Sequence, residues 1–114
     1  MKAKLSFSNS WKDLEVELTK ETSLDFVPPE GMQFYIEPDP TELFVDFALW
    51  YHDEQLLVIS FRQIEHQSEE DFVDMLKSTI GTYGWDYMTD KKNAEYINNI
   101  LKSPPHKKPP KSST

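Results

Sequence analysis

Hydrophobic and polar positions alternate through much of the first two thirds of the chain. Ala3, Leu5 and Phe7 alternate with Lys2, Lys4, Ser6 and Ser8, the period-2 pattern of a half-buried strand. Leu14, Val16 and Leu18 repeat it among Asp13, Glu15, Glu17 and Thr19. A four-residue loop, Asn9–Lys12, would join the two as a hairpin. Pairing Ser8 with Asp13 sets Phe7 opposite Leu14, Leu5 opposite Val16 and Ala3 opposite Leu18, with Lys4 facing Glu17 on the wet side. A loop follows, anchored by Leu24 and Phe26 and turned by Val27-Pro-Pro-Glu-Gly31. Met32–Glu37 reads as a third strand, ended by Pro38-Asp-Pro40, because two prolines so close cannot sit in a sheet ladder.

Leu43–Tyr51 and Gln55–Arg62 carry the strongest strand pattern, with His52-Asp53-Glu54 as the loop between them. The simplest register sets Leu49 opposite Leu57, Phe47 opposite Ile59 and Val45 opposite Phe61, so that Phe47 and Leu49 are expected in the core. The other face, with Phe44, Asp46, Trp50, Val58 and Arg62, is mixed. Part of it is covered by another element or offered to a partner.

The period then changes. Ser68-Glu-Glu-Asp71 resembles a capping box, with Asp at the third position, and the acids of the first turn suit the positive end of a helix dipole. Phe72, Met75, Leu76, Thr79 and Ile80 follow at helical spacing, and Gly81 stands where a C-terminal cap glycine belongs. Tyr83, Trp85 and Tyr87 alternate, which allows a short sixth strand. Thr89 or Asp90 would cap a second helix with Ala94, Ile97, Ile100 and Leu101 inward, stopped by Pro104 and Pro105. The expected fold is α+β: an antiparallel sheet of about five strands with two C-terminal helices packed on one face. It occupies residues 1–102 as one domain. The remainder, Ser103–Thr114, holds four of the eight prolines, three lysines and no large apolar residue, and is expected to be a disordered Pro/Lys-rich tail.

Composition agrees with a folded domain, since 38% of the 114 residues are hydrophobic and 13% aromatic. Charge adds more. The chain carries −8, and residues 1–102 alone hold nine Lys/Arg against twenty Asp/Glu. No lysine or arginine lies between Lys20 and Arg62, an interval with nine carboxylates: Glu21, Asp25, Glu30, Glu37, Asp39, Glu42, Asp46, Asp53 and Glu54. Such a surface opposes direct nucleic-acid binding, which needs basic residues.

Catalytic chemistry has little to start from. With no cysteine, thiolate nucleophiles, thiolate metal sites and disulfides are excluded. Three glycines cannot form a Gly-rich phosphate loop, and no serine stands in a Gly-x-Ser-x-Gly elbow. His52 beside Asp53 and Glu54 reads as a solvated turn, and His66 as loop. No two histidines have the spacing of a helical zinc site, and no calcium-loop pattern occurs. Neither an enzyme, nor a cofactor, nor a metal site is expected. No apolar run reaches the length of a signal-peptide core or a membrane span, so the expected location is cytoplasmic.

Two readings of the acidic interval remain. Its carboxylates keep a small domain soluble, or they mimic a phosphate pattern and dock on a basic cleft of another protein. The second selects Glu37, Asp39, Glu42, Asp46, Asp53 and Glu54 as partner-binding residues, with Trp50 as an aromatic anchor. The small, cysteine-free, acidic α+β profile of residues 1–102 resembles bacterial immunity proteins that neutralise toxin domains, many of them nucleases. That resemblance implies an inhibitor that blocks a basic active-site cleft. The alternative is a small, non-enzymatic adaptor module of a larger assembly, with the tail as its peptide ligand.

The tail has nothing to bury. A chain ending at Lys102 is expected to keep its Tm within about 2 °C, since surface changes are usually worth under about 0.5 kcal/mol. A thermal melt showing a loss above roughly 5 °C for a domain of this size would place the tail against the domain.

Overall fold

The computed structural model describes residues 1–36 and 41–102, without the side chains of residues 35, 36, 41 and 42. Among the described residues, seven strands, β1 (Lys2–Trp11), β2 (Leu14–Ser23), β3 (Gln33–Ile36), β4 (Thr41–Tyr51), β5 (Leu56–Phe61), β6 (Ile64–Glu65) and β7 (Asp86–Met88), accompany two α-helices, α1 (Glu69–Leu76) and α2 (Lys91–Lys102). The fold is α+β, but the sheet is mixed rather than antiparallel. Its order is β3-β4-β5-β1-β2-β7, with β6 beside the end of β1. β1 runs antiparallel to β2 and parallel to both β5 and β6. Local periodicity carries no information on which strands become neighbours. The two strands with the most regular apolar faces, β1 and β5, end up side by side, with Ala3 next to Leu57 and Leu5 next to Ile59.

The first hairpin exists, in a different register. β1 runs on to Trp11, which pairs with Leu14 across a tight turn at Lys12 and Asp13. Phe7 therefore faces Leu18 and Ser8 faces Glu17. The slip is of four positions, an even number, so every side chain keeps its expected face. Ala3, Leu5, Phe7, Val16 and Leu18 are all buried. Lys12 takes a left-handed φ of 53°, and its ammonium sits 4.8 Å above the Trp11 ring, which holds the strained turn in place.

The second hairpin departs further. Val45 does face Phe61, but Phe47 faces Ser60 and Leu49 faces Val58, because a β-bulge lies between Val45 and Phe47. One extra residue reverses the faces of everything beyond it. Phe47 and Leu49, expected in the core, are about half exposed, whereas Leu43, Val45, Leu57, Ile59 and Phe61 are buried. In the loop before β3, Leu24 packs on the core but Phe26 is exposed.

Both helices close over one face of the sheet. Phe72 and Leu76 of α1 and Ile97 and Ile100 of α2 join the buried side chains of β1, β2, β4 and β5 in one core. Ser68 caps α1 as expected, its hydroxyl accepting from the Asp71 amide at 3.1 Å. The helix then widens into a π-helical turn, Lys77–Thr82, that contains Gly81. The residue that ends it is Gly84, at φ 72°, not Gly81. The Trp85 amide reaches back to the Thr79 carbonyl, and the Trp85 ring meets Phe7 edge-on at 5.2 Å. β7 forms where a sixth strand was expected and pairs with β2. Thr89 ties α2 to the sheet by donating to the Glu15 carbonyl. Tyr96 of α2 donates to Glu69 of α1, and burial together with that bond pushes its phenol up to about 12. Among the described residues, no helix is long and apolar enough to cross a membrane.

The bulge makes a direct prediction. Phe61→Ala should cost about 3–5 kcal/mol by leaving a core cavity. Phe47→Ala should cost no more than about 1.5 kcal/mol, since only part of its ring leaves water. Urea midpoints of the two variants check this, and equal losses would mean that Phe47 is a core residue.

Candidate functional site

β4 is paired on both sides only as far as the bulge. Beyond it the strand carries Phe47, Leu49, Trp50 and Tyr51, each 45–47% exposed. Phe47, Leu49 and Tyr51 alternate onto the face away from the helices, beside Ser60, Val58 and Leu56 of β5. Trp50 pairs with Leu57 and falls on the helix side, but close to the hairpin tip. Phe44 lies before the bulge, its ring 5.7 Å from the Arg62 guanidinium. Trp50 and Phe44 therefore do not share a face, contrary to the register expected from the sequence.

The acids frame this strip. Asp46 is the extra residue of the bulge and is exposed. Asp53 and Glu54 are exposed in the hairpin turn, which closes through the Gln55 amide to the His52 carbonyl at 3.1 Å. Gln55 takes a φ of 53° there, and its side-chain amide donates to the same carbonyl at 2.7 Å. Glu42 lies on β4 with its backbone paired to Tyr35. Glu37 and Asp39 lie outside the described residues. Of the seven expected site residues, Glu42, Asp46, Trp50, Asp53 and Glu54 thus lie on one hairpin, Asp46 at the bulge and Asp53 and Glu54 at the tip.

Phe47, Leu49 and Tyr51 lie on the same hairpin, on the face opposite Trp50, and were missed. The available signal was that both faces of residues 47–51 are apolar, so the pattern alone could not choose the inward one. Further acids were missed on the rest of the open face. One groove of about 370 Å³ is lined by Tyr51, Glu54, Leu56 and Val58 of the hairpin and by Lys4, Ser6 and Glu17. A second, of about 250 Å³, is lined by Ser8, Glu15, Glu17, Met88, Thr89 and Asp90. Ser6 donates to Glu17 at 2.8 Å, and Gln63 donates to Glu15 at 3.3 Å. The open face is apolar at β4–β5 and acidic at β2–β7. Among the described residues, no group of three or more His, Asp or Glu could hold a metal ion.

His66 is more than loop. Its Nε2 lies 3.0 Å from Oδ1 of the fully buried Asn9, and its ring stands edge-on to Phe72 at 5.9 Å. Its amide donates to the Ser10 carbonyl at 2.8 Å. Nδ2 of Asn9 is buried without a hydrogen-bond partner among the described residues. The pair pins β6 to β1 beneath α1, a structural contact.

Comparison with family models, with curated proteins and with solved structures gives no match for this chain. The hairpin surface therefore rests on its own geometry.

Burial holds the His66 imidazolium below its ordinary 6.5, against a weaker upward pull from Asp71. The unfolded chain then binds the proton more readily, so the associated stability is complete above 6.5 and declines as pH falls toward the folded value. His66→Gln should show a smaller drop in urea midpoint than the parent chain between about pH 7 and 5.5. Identical drops would remove His66 from the account.

Proposed function

We propose that the chain is an acidic protein-binding inhibitor, an immunity protein that neutralises a toxin nuclease domain by covering its basic cleft in the cytoplasm. The observation that carries this reading is the β4–β5 hairpin. It carries half-exposed Phe47, Leu49 and Tyr51 on its open face and Trp50 on the other, between exposed Asp46 at one end and Asp53 and Glu54 at the tip, in a stretch of sequence without lysine or arginine.

The two halves of that surface have different tasks. Carboxylates facing a basic cleft raise the association rate toward about 10⁸ M⁻¹s⁻¹, against about 10⁵–10⁶ for uncharged pairs. Aromatic side chains, once desolvated, slow dissociation. Repulsion among uncompensated carboxylates disfavours the compact chain, and a basic partner relieves it. The role is stoichiometric, with no bond made or broken by the inhibitor.

The test pairs this chain with the product of the gene directly upstream of its own, expected to encode the toxin. Co-expression should restore growth to cells making that toxin. Replacing Asp39, Glu42, Asp46 and Asp53 by their amides should leave the fold intact and slow association at low salt about tenfold or more. Raising the salt should close most of that gap. If the quadruple variant associates as fast as the parent chain at low ionic strength, the acids are a solubility feature and the reading fails.

A further inference from the structure

We infer that the free edge of β4 takes up an extended segment of the partner as an added strand, with lysine or arginine flanking its apolar residues. The inference rests on the reading of this hairpin as a docking surface and says how the partner engages it.

The edge is open for a structural reason. β3 pairs with β4 only from Thr41 to Phe44. Gly31 and Met32 extend the pairing to Val45, with amide-to-carbonyl distances of 2.7 and 2.9 Å. The bulge ends it there. From Phe47 to Tyr51, among the described residues, β4 has β5 on one side and no strand on the other. In an antiparallel ladder alternate residues direct their N–H and C=O groups away from the neighbour. Half of the backbone polar groups of this stretch therefore point outward. Open edges in monomeric proteins are usually blunted by lysine, proline or short length. Phe47-Ala-Leu-Trp-Tyr51 has none of these protections beyond the bulge before it, and four of its five residues are large and apolar.

The occupant follows from area and charge. On the open face Phe47, Leu49 and Tyr51, at 45–47% exposure, offer roughly 270 Å² of surface. A stable interface buries about 800 Å² per partner. Apolar contact alone falls short by well over half, so backbone bonds and charge must contribute the rest. A second copy would supply the backbone bonds, but it would set its own Asp46, Asp53 and Glu54 against the same strip, with −8 facing −8. A basic, extended segment supplies both. Its strand bonds satisfy the edge, its apolar residues meet Phe47, Leu49 and Tyr51, and its cations reach the acids at either end.

The test follows the backbone amides of the full chain by NMR during titration with a nine-residue peptide that alternates lysine with valine and tyrosine. Shifts and slowed amide exchange should concentrate at residues 47–51 and the adjoining turn. N-methylation of alternate peptide bonds, which leaves charge unchanged, should weaken binding about tenfold or more, since each lost strand bond at an interface is unsatisfied. A version with glutamate for lysine should not bind. Equal binding with and without N-methyl groups overturns strand addition while leaving acid-mediated docking intact. Equal binding of the glutamate version overturns the basic occupant. Shifts at 47–51 on diluting the protein alone would make a second copy the occupant. Absence of any shift there at about 1 mM peptide, an affinity weaker than about −4 kcal/mol, overturns the inference altogether.

Discussion

β1 is the strand on which the other elements depend. It holds β2 on one side and β5 and β6 on the other, and its inward side chains, Ala3, Leu5 and Phe7, sit at the centre of the buried cluster. Its parallel contact with β5 joins the N-terminal hairpin to the β4–β5 hairpin. A parallel pair needs a long connection to reverse the chain direction. The loop after β2, then β3 and β4, supply it. The crossover after β6 carries α1 over the same face and returns the chain at β7 on the far side of β2. Phe72 then lies against Trp11 and Trp85 against Phe7, so both ends of the crossover are fastened to side chains of β1.

Among the described residues, this arrangement leaves the opposite face of the sheet to solvent, and the bulge decides what appears there. Without an extra residue at Asp46, Phe47 and Leu49 would fall beneath the helices. With it, they face outward with Tyr51, and the strand continues past the last residue that the β3 side pairs. A single irregularity thus produces an exposed apolar strip, an open edge and a carboxylate at its base. Bulges recur where a strand must re-aim its side chains or end a pairing, and this one does both.

The elements were legible because each has a period. The alternation in β1, β2 and β5 and in β4 as far as Val45, the Ser68 cap and the spacing of Phe72, Leu76, Ile97 and Ile100 all appear in the structure as the pattern implies. Register was not legible. In the first hairpin a slip of four positions preserves every face, so the pattern is blind to it. In the second, both faces of residues 47–51 are apolar and neither is favoured by sequence. Strand order is set by long-range pairing, and the replacement of Gly81 by Gly84 as the helix stop follows from a π turn that no spacing announces. For the site, the exposure of Asp46, Asp53 and Glu54 followed from charge alone. Trp50 was also named from the sequence, whereas Phe47, Leu49 and Tyr51 required the bulge.

The central claim is that the β4–β5 hairpin is the docking surface. Hydroxyl-radical footprinting of the chain alone and in complex with the proposed partner, the product of the upstream gene, tests it most directly. In the free chain Phe47, Trp50 and Tyr51 should be oxidised readily while Phe61, Phe72 and Trp85 are spared. In the complex the first three should become protected. Labelling of Phe47, Trp50 and Tyr51 that is unchanged by the partner, with protection appearing elsewhere, would contradict the account.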